Sequence, residues 1–287
     1  MSTATLKLNR PLALAAALTL AACTAIAQPQ PAQPAYEPSV GQSGKDVVWV
    51  PTPQALVDKM LTMAKATPSD YVIDLGSGDG RTVITAAKRG ITALGIEYNP
   101  DMVDLSKRNA AKENVSDKAT FMKADLFETD FSKATVITMF LLPDINVKLR
   151  PKILDLKPGT RIVSNSFTMA EWQHDQSVTA DEKEGCRSYC VAYLWIVPAK
   201  VSGTWKLPQG ELALKQSFQM VTGTMKTGDK STAVTGKLNG DQITFTAGGT
   251  EYTGRVAGNT IEGTAKGAGA FTATRAGTPA AANAPKY

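Results

Sequence analysis

One histidine, three cysteines and no basic tract with interleaved aromatics are all that this 287-residue sequence offers to metal and nucleic-acid chemistry. Cys186, Cys190 and the lone His174 cannot fill a structural zinc site without a carboxylate. No nucleic-acid partner is expected, because the net charge of +5 falls to +3 once Lys7 and Arg10 are lost with an amino-terminal segment that holds no acids. The apolar run from Leu12 to Ala22 is too short to span a bilayer as a helix. What is present is an ordinary globular composition, 43% hydrophobic and 20% charged, enough to bury a sizeable core and to hold two domains.

That short run, with Lys7 and Arg10 ahead of it, reads as an export signal over residues 1–27. Two cleavage readings stay open. Ala25-Ile26-Ala27 before Gln28 has the small-x-small form of a soluble signal, whereas Leu20-Ala21-Ala22-Cys23 resembles a bacterial lipobox and would place a lipid anchor on Cys23. Both predict a periplasmic or envelope-associated protein, soluble or lipid-anchored. Cys186 and Cys190 are then the remaining thiols, and an oxidising compartment makes a disulfide between them the favoured reading, with two inert thiols as the alternative. Extended chain would hold their Cα atoms roughly 13 Å apart, so a bridge demands a turn.

Residues 28–46, rich in Pro and Gln and without periodicity, read as a flexible linker, with order beginning near Val47. PTPQALVDKMLTMAKA then predicts a helix capped by Thr52, with Pro53 at its first position and Leu56, Val57, Met60, Leu61 and Ala64 on one face. Apolar runs at YVIDL, ALGIEY, ATFMKAD, ATVITMFLL, RIVSNSF and VAYLWIVP alternate with helical stretches at 79–89, 100–113 and 144–156. Such alternation predicts an α/β domain over 47–199, a mostly parallel sheet covered by helices on both faces. From residue 200 to 276 short Thr-, Val- and Phe-containing runs are broken by Gly, predicting a separate antiparallel β module. TGKLNGDQITFTA (235–247) and TGRVAGNTIEGTA (253–265) echo each other in register, as successive hairpins would. Residues 277–287 read as a loose tail.

The chemistry concentrates at residues 71–99. Asp74-Leu75-Gly76-Ser77-Gly78-Asp79-Gly80 follows the first strand and leads into a helix, so glycines allow backbone to approach a ligand closely. A dinucleotide fingerprint would need its third glycine where Arg81 stands, and the G-x-G-x-G spacing suits a ligand without a pyrophosphate, favouring S-adenosylmethionine over NAD. Glu97, at the tip of the second strand, can accept both ribose hydroxyl protons; Asp74 can face an ammonium group. Asp125, closing the third strand, is placed to accept from an adenine amino group with Leu126 beside the ring. The competing reading of all three acids is solvated residues at strand ends.

Taken together and in order, VWVPTPQALVDKML, DLGSGDGR, GIEYNP, ADLFETDFSKATVITMFLLPDIN and LKPGTRIVSNSF resemble the small class I S-adenosylmethionine-dependent protein-lysine methyltransferases, among them the archaeal lysine methyltransferases and the mitochondrial ATP synthase c-subunit lysine methyltransferase. The resemblance covers about residues 47 to 198. It implies a seven-stranded, Rossmann-like sheet, with cofactor against Thr52, Asp74, Gly76, Gly78, Asp79, Glu97 and Asp125 and with the acceptor near Phe140 to Pro143.

The fourth strand lacks the Asn/Asp-Pro-Pro-aromatic run that grips planar amides, and offers Leu141-Leu142-Pro143 as an apolar wall. Such a wall lowers an amine's pKa and needs no dedicated base. Phe140, Leu141, Pro143, Phe167 and Trp172 are the candidate channel residues, each weighed against plain core packing, and His174 reads more readily as a surface residue than as a base. The leading expectation is an exported methyltransferase acting on lysine or a similar amine. The alternatives are a binding protein that keeps the pocket without chemistry, and methylation of a small molecule or lipid head group.

Overall fold

The computed structural model describes residues 1–5 and 36–277. Residues 6–35, which hold most of the export segment with Cys23 and part of the expected linker, and the terminal residues 278–287 lie outside the described residues.

A seven-stranded sheet organises the first part of the chain. Its strands are β1 (Tyr71–Leu75), β2 (Thr92–Glu97), β3 (Ala119–Lys123), β4 (Val136–Met139), β5 (Arg161–Asn165), β6 (Gln176–Thr179) and β7 (Val191–Ile196), in the order β3-β2-β1-β4-β5-β7-β6. The first five pair in parallel; β7 runs antiparallel to β5, and β6 antiparallel to β7. Helix α1 (Gln54–Met63) precedes β1, and three helices connect strands: α2 (Arg81–Lys88), α3 (Pro100–Lys112) and α4 (Pro143–Leu154). This is the class I methyltransferase architecture. β6 was missed in the sequence, since four polar or half-buried residues give no apolar run.

Both faces of the sheet are buried because successive residues of a strand point to opposite sides. Val72, Val136, Val163 and Leu194 pack with α1, α2 and α3, whereas Ile73, Ile137, Ile162 and Trp195 pack with α4. Fully burying such a side chain stabilises the fold by about 1.5–3 kcal/mol. α3 begins where the sequence predicts: the Asn99 side chain accepts from the Asp101 amide, with Pro100 at the first helical position. α1 departs from expectation. Pro53 precedes Gln54 without a side-chain cap, and the Thr52 hydroxyl instead accepts from Asn165 Nδ2 at 3.2 Å.

Strands β8 (Gly203–Leu207), β9 (Gly210–Ser217), β10 (Met220–Thr227), β11 (Lys230–Asn239), β12 (Gln242–Ala247), β13 (Thr250–Ala257), β14 (Thr260–Ala265) and β15 (Gly269–Arg275) form a closed antiparallel barrel. The two echoing segments are its β11–β12 and β13–β14 hairpins. Closure pairs β15 with β8, which leaves no free strand edge. Inside, Trp205, Phe245, Tyr252 and Phe271 belong to one packed core, with the Phe245 and Tyr252 rings stacked at 4.7 Å.

The barrel covers part of the α4 face of the sheet. Phe218, in the turn between β9 and β10, stacks on Trp172 with ring centroids 5.8 Å apart, and Gln219 Nε2 donates to the Gln173 carbonyl at 2.8 Å. Next to it Lys237 pairs with Asp175, and the Ala199 amide donates to the Gly240 carbonyl.

Residues 36–46, expected as part of a flexible linker, carry structure of their own. The Gly41 amide donates to the Trp49 carbonyl at 2.8 Å and the Trp49 amide to the Gln42 carbonyl at 2.9 Å, closing a hairpin over residues 41–49. Gln42 Nε2 also donates to the Tyr36 hydroxyl. Composition pointed to a spacer, but these backbone and side-chain partners tie the segment down.

Candidate functional site

In an open α/β sheet the crevice for a ligand lies beyond the carboxyl ends of the strands, where the strand order reverses. Here the reversal falls between β1 and β4, and a cavity of about 480 Å³ opens at that end, within the range that holds a drug-sized ligand. Thr52, Asp74, Gly76, Gly78, Asp79, Glu97, Asp125 and Leu126, named from the sequence, all line it, as do Phe140, Leu141 and Phe167.

The turn after β1 is pinned by its neighbours. Gly76 and Ser77 amides donate to the Ile96 carbonyl, the Ser106 hydroxyl on α3 donates to the Gly78 carbonyl at 2.8 Å, and Asn109 Nδ2 donates to the Asp79 carbonyl at 3.0 Å. Gly78 has φ +53°, and a Cβ built there would lie 2.6 Å from Trp49 Nε1. The crowding therefore comes from the amino-terminal hairpin, which closes down on the turn.

Glu97 faces the cavity from the end of β2. One carboxylate oxygen accepts from the Gly78 amide at 3.0 Å, the other from the Asn99 amide at 2.9 Å. Two backbone donors thus fix its plane, and lone pairs remain for a diol. Asp74 is buried beside the turn, with Oδ1 accepting from the Thr138 hydroxyl at 2.6 Å. Burial, reinforced by the nearby Asp79 and Glu97 carboxylates, pushes its pKa up to about 7, against the opposing hydrogen bonds from Thr138 and Thr82. A cation placed there would reverse that cost.

The two remaining acids are less free than their positions in the sequence implied. Arg81 grips Asp79 through Nε and Nη2, the latter at 2.6 Å, while its Nη1 donates to the Thr52 carbonyl. Asp125 lies past the end of β3 rather than within it. Its Oδ1 accepts from the Phe127 amide at 2.9 Å and its Oδ2 pairs with Lys45 of the hairpin at 3.0 Å. That amide and the Lys45 ammonium hold its carboxyl below the usual range.

Beyond the tip of β4 the wall is apolar: Phe140, Leu141, Leu142, Ile145 and Phe167. Two channel candidates fall outside it. Pro143 is exposed at the first position of α4, and the wall continues through Leu142 and Ile145 instead. Trp172 is fully buried in the core between sheet and barrel, where Phe218 stacks on it and its carbonyl accepts from Trp195 Nε1 at 2.7 Å. His174 is exposed, lies 4.8 Å from the Tyr193 ring, and does not line the cavity. Tyr189 was missed. It lines the cavity from the turn between Cys186 and Cys190, which are disulfide-bonded with Cα atoms 5.8 Å apart. The paired cysteines were the available signal, because a bridge across four residues forces the chain between them into a tight turn.

A family model described as the ANTKMT methyltransferase domain matches residues 74–176. A protein-lysine N-methyltransferase from Saccharolobus islandicus (strain REY15A) is 41% identical over 154 residues, covering 53% of this chain and 94% of that protein. The chain belongs to the protein-lysine N-methyltransferase family. This methyltransferase is also 34% identical over 128 residues to the ATP synthase c-subunit lysine N-methyltransferase of Homo sapiens, spanning 44% of its own length and 54% of the human protein's. Among solved structures, an RNA methyltransferase from Salinibacter ruber in complex with S-adenosyl-L-homocysteine is 43% identical, with 53% of this chain and 96% of that chain covered and a TM-score of 0.49.

The methyltransferase uses S-adenosylmethionine as its cofactor, and the cavity suits that molecule. Asp74 is a buried carboxylate that gains from a cation, Glu97 is an acceptor preset for a diol, and Ser77 Oγ is buried with no hydrogen-bond partner among the described residues. A sulfonium amino acid joined to a nucleoside supplies an ammonium, a ribose diol and an adenine ring.

Proposed function

We propose that this methyltransferase is exported and transfers methyl groups to the side-chain amine of protein lysine. The observation that carries the reading is that one cavity is lined both by the Asp74 and Glu97 carboxylates and by the aromatic and aliphatic side chains of Phe140, Leu141 and Phe167. When bound, S-adenosylmethionine supplies a sulfonium-borne methyl group that is electrophilic toward an uncharged amine. In this reading Glu97 holds the ribose hydroxyls, Asp74 the amino-acid ammonium, and the backbone of Gly76 to Gly78 lies against the cofactor with Thr52 and Asp79 flanking it. Leu126 packs by the adenine ring, and Asp125 accepts from its amino group beside Lys45.

Phe140, Leu141, Leu142 and Phe167 then exclude water from the acceptor. A lysine amine held there loses its charged form more readily, because the apolar surroundings disfavour the ammonium. Holding donor and acceptor in line supplies most of the catalysis, so no residue of the wall needs to act as a base. The lysine N-methyltransferases of Saccharolobus islandicus and Homo sapiens named above support lysine as the acceptor. The signal-like segment and the Cys186–Cys190 bond support an oxidising, envelope compartment.

The test is label transfer from methyl-labelled S-adenosylmethionine by purified protein in an envelope extract, followed by acid hydrolysis. Label in methylated lysine is the expected result. Label extracted into organic solvent would instead indicate a lipid acceptor, and affinity for the cofactor without any transfer would indicate a binding protein.

A further inference from the structure

Resting on the lysine reading above, we propose that Tyr189 is an acceptor-binding residue that selects a cationic side chain at the mouth of the cavity, and that the Cys186–Cys190 disulfide is what positions it. The Tyr189 ring packs edge-on against Phe140 with centroids 5.1 Å apart and lies 6.2 Å from Phe167, while Phe140 and Phe167 stack at 5.9 Å. These rings touch one another, so together they make a one-sided wall and not a closed box. Phe140 and Phe167 are half-buried, whereas Tyr189 is 45% exposed and so presents the wall's outermost aromatic surface. An ammonium or methylammonium group passing that ring is attracted by its negative face, and a neutral alkyl chain is not.

The backbone at Tyr189 argues for a purpose. Its φ is +56°, a left-handed conformation that costs an L residue of order 1 kcal/mol and that glycine or asparagine would adopt more easily. The surrounding chain holds it there. The disulfide closes the turn, the Ala180 amide donates to the Cys190 carbonyl at 2.8 Å, and the Cys186 amide donates to the Asp181 carbonyl at 3.1 Å. Ahead of it a single 3-10 turn is closed by reciprocal bonds between Asp181 and Glu184, and Glu184 pairs with Lys59 of α1. The turn is thus anchored to the scaffold on one side and delivers one large ring to the cavity on the other.

The experiment uses the full chain with its disulfide intact, saturated with S-adenosylhomocysteine. The probes are Nα-acetyl-Nε-trimethyllysine methylamide, a fixed-charge lysine side chain, and Nα-acetyl-norleucine methylamide, the same stem without the amine. Binding is followed by ligand-observed NMR, and S-adenosylhomocysteine affinity is measured in parallel by calorimetry. Wild type should bind the trimethyllysine probe about three- to fivefold more tightly than the norleucine probe. Tyr189→Ala should abolish that preference and Tyr189→Phe should keep it. The double variant Cys186→Ser/Cys190→Ser should reduce it as Tyr189→Ala does, with S-adenosylhomocysteine affinity unchanged in all three.

Equal preference in wild type and Tyr189→Ala overturns the proposal, as does a Tyr189→Ala chain that loses S-adenosylhomocysteine. A preference that survives removal of both cysteines overturns the positioning role of the bridge. Tyr189-dependent selection of the cation in a protein that methylates no lysine would support the binding assignment and contradict the lysine reading, so the two fail separately.

Discussion

Replacing Asp74 by Asn should make the ligand-free protein more stable at pH 8 and weaken its hold on the cofactor. Asp74 is buried, and its pKa stands at about 7 against an ordinary 3.8. A carboxyl whose folded-state pKa lies above its unfolded value binds its proton more tightly when folded. Its contribution to stability is therefore most favourable below pH 3.8 and is lost as the pH rises to about 7, a change of about 4 kcal/mol. Asn has nearly the same shape, keeps an oxygen to accept from Thr138, and has no charge to bury. Urea denaturation of both ligand-free chains at pH 4 and pH 8 should show the variant gaining about 4 kcal/mol on wild type between the two values. Cofactor binding should move the other way. An ammonium needs the ionised carboxylate, so wild-type affinity for S-adenosylmethionine should fall about tenfold from pH 8 to pH 6, while the weaker affinity of the variant stays flat over that range. Parallel pH dependence of stability in the two chains would refute the reasoning, because it would mean that Asp74 does not titrate in the folded protein.

Other perturbations read other parts of the structure. Gly78→Ala adds a side chain at φ +53° directly against Trp49, so S-adenosylmethionine affinity measured by calorimetry should drop at least tenfold; unchanged affinity would mean that the hairpin gives way freely. Trp172→Ala removes a fully buried ring from the contact between sheet and barrel and should cost about 3–5 kcal/mol in denaturant unfolding, with cofactor affinity unaffected because Trp172 lies outside the cavity. Removing both Cys186 and Cys190 should cost about 2 kcal/mol, the chain-entropy value for so short a loop, read as a fall in the thermal midpoint.

Strands β1, β2, β4, β5 and β7 were legible because each is a compact apolar run buried on both sides, and the cavity followed from them, since a glycine turn and a strand-tip acid can only meet at the carboxyl edge of a parallel sheet. What the sequence hid were contacts between distant segments. Trp172 sits in the polar stretch EWQHDQS, and nothing local reveals that Phe218, beyond four further strands, will bury it. Thr52 has the composition of a helix cap, but Asn165 claims its hydroxyl. Asp125 reads as a free strand-end acid until Lys45, from a segment with the composition of a linker, reaches it. Tyr189 belongs to no periodic element, and only the bridge around it explains its place.

The measurement that bears most directly on the central claim is a calorimetric titration of the protein with S-adenosylmethionine, repeated with Glu97→Ala and Glu97→Gln. Loss of a charged, bidentate acceptor should cost about 2–3 kcal/mol, or roughly 30- to 150-fold in affinity, with Gln falling between Ala and wild type because it retains one acceptor oxygen. Equal affinity in all three proteins would contradict the account, for it would remove from the binding site the one carboxylate that Gly78 and Asn99 hold in place.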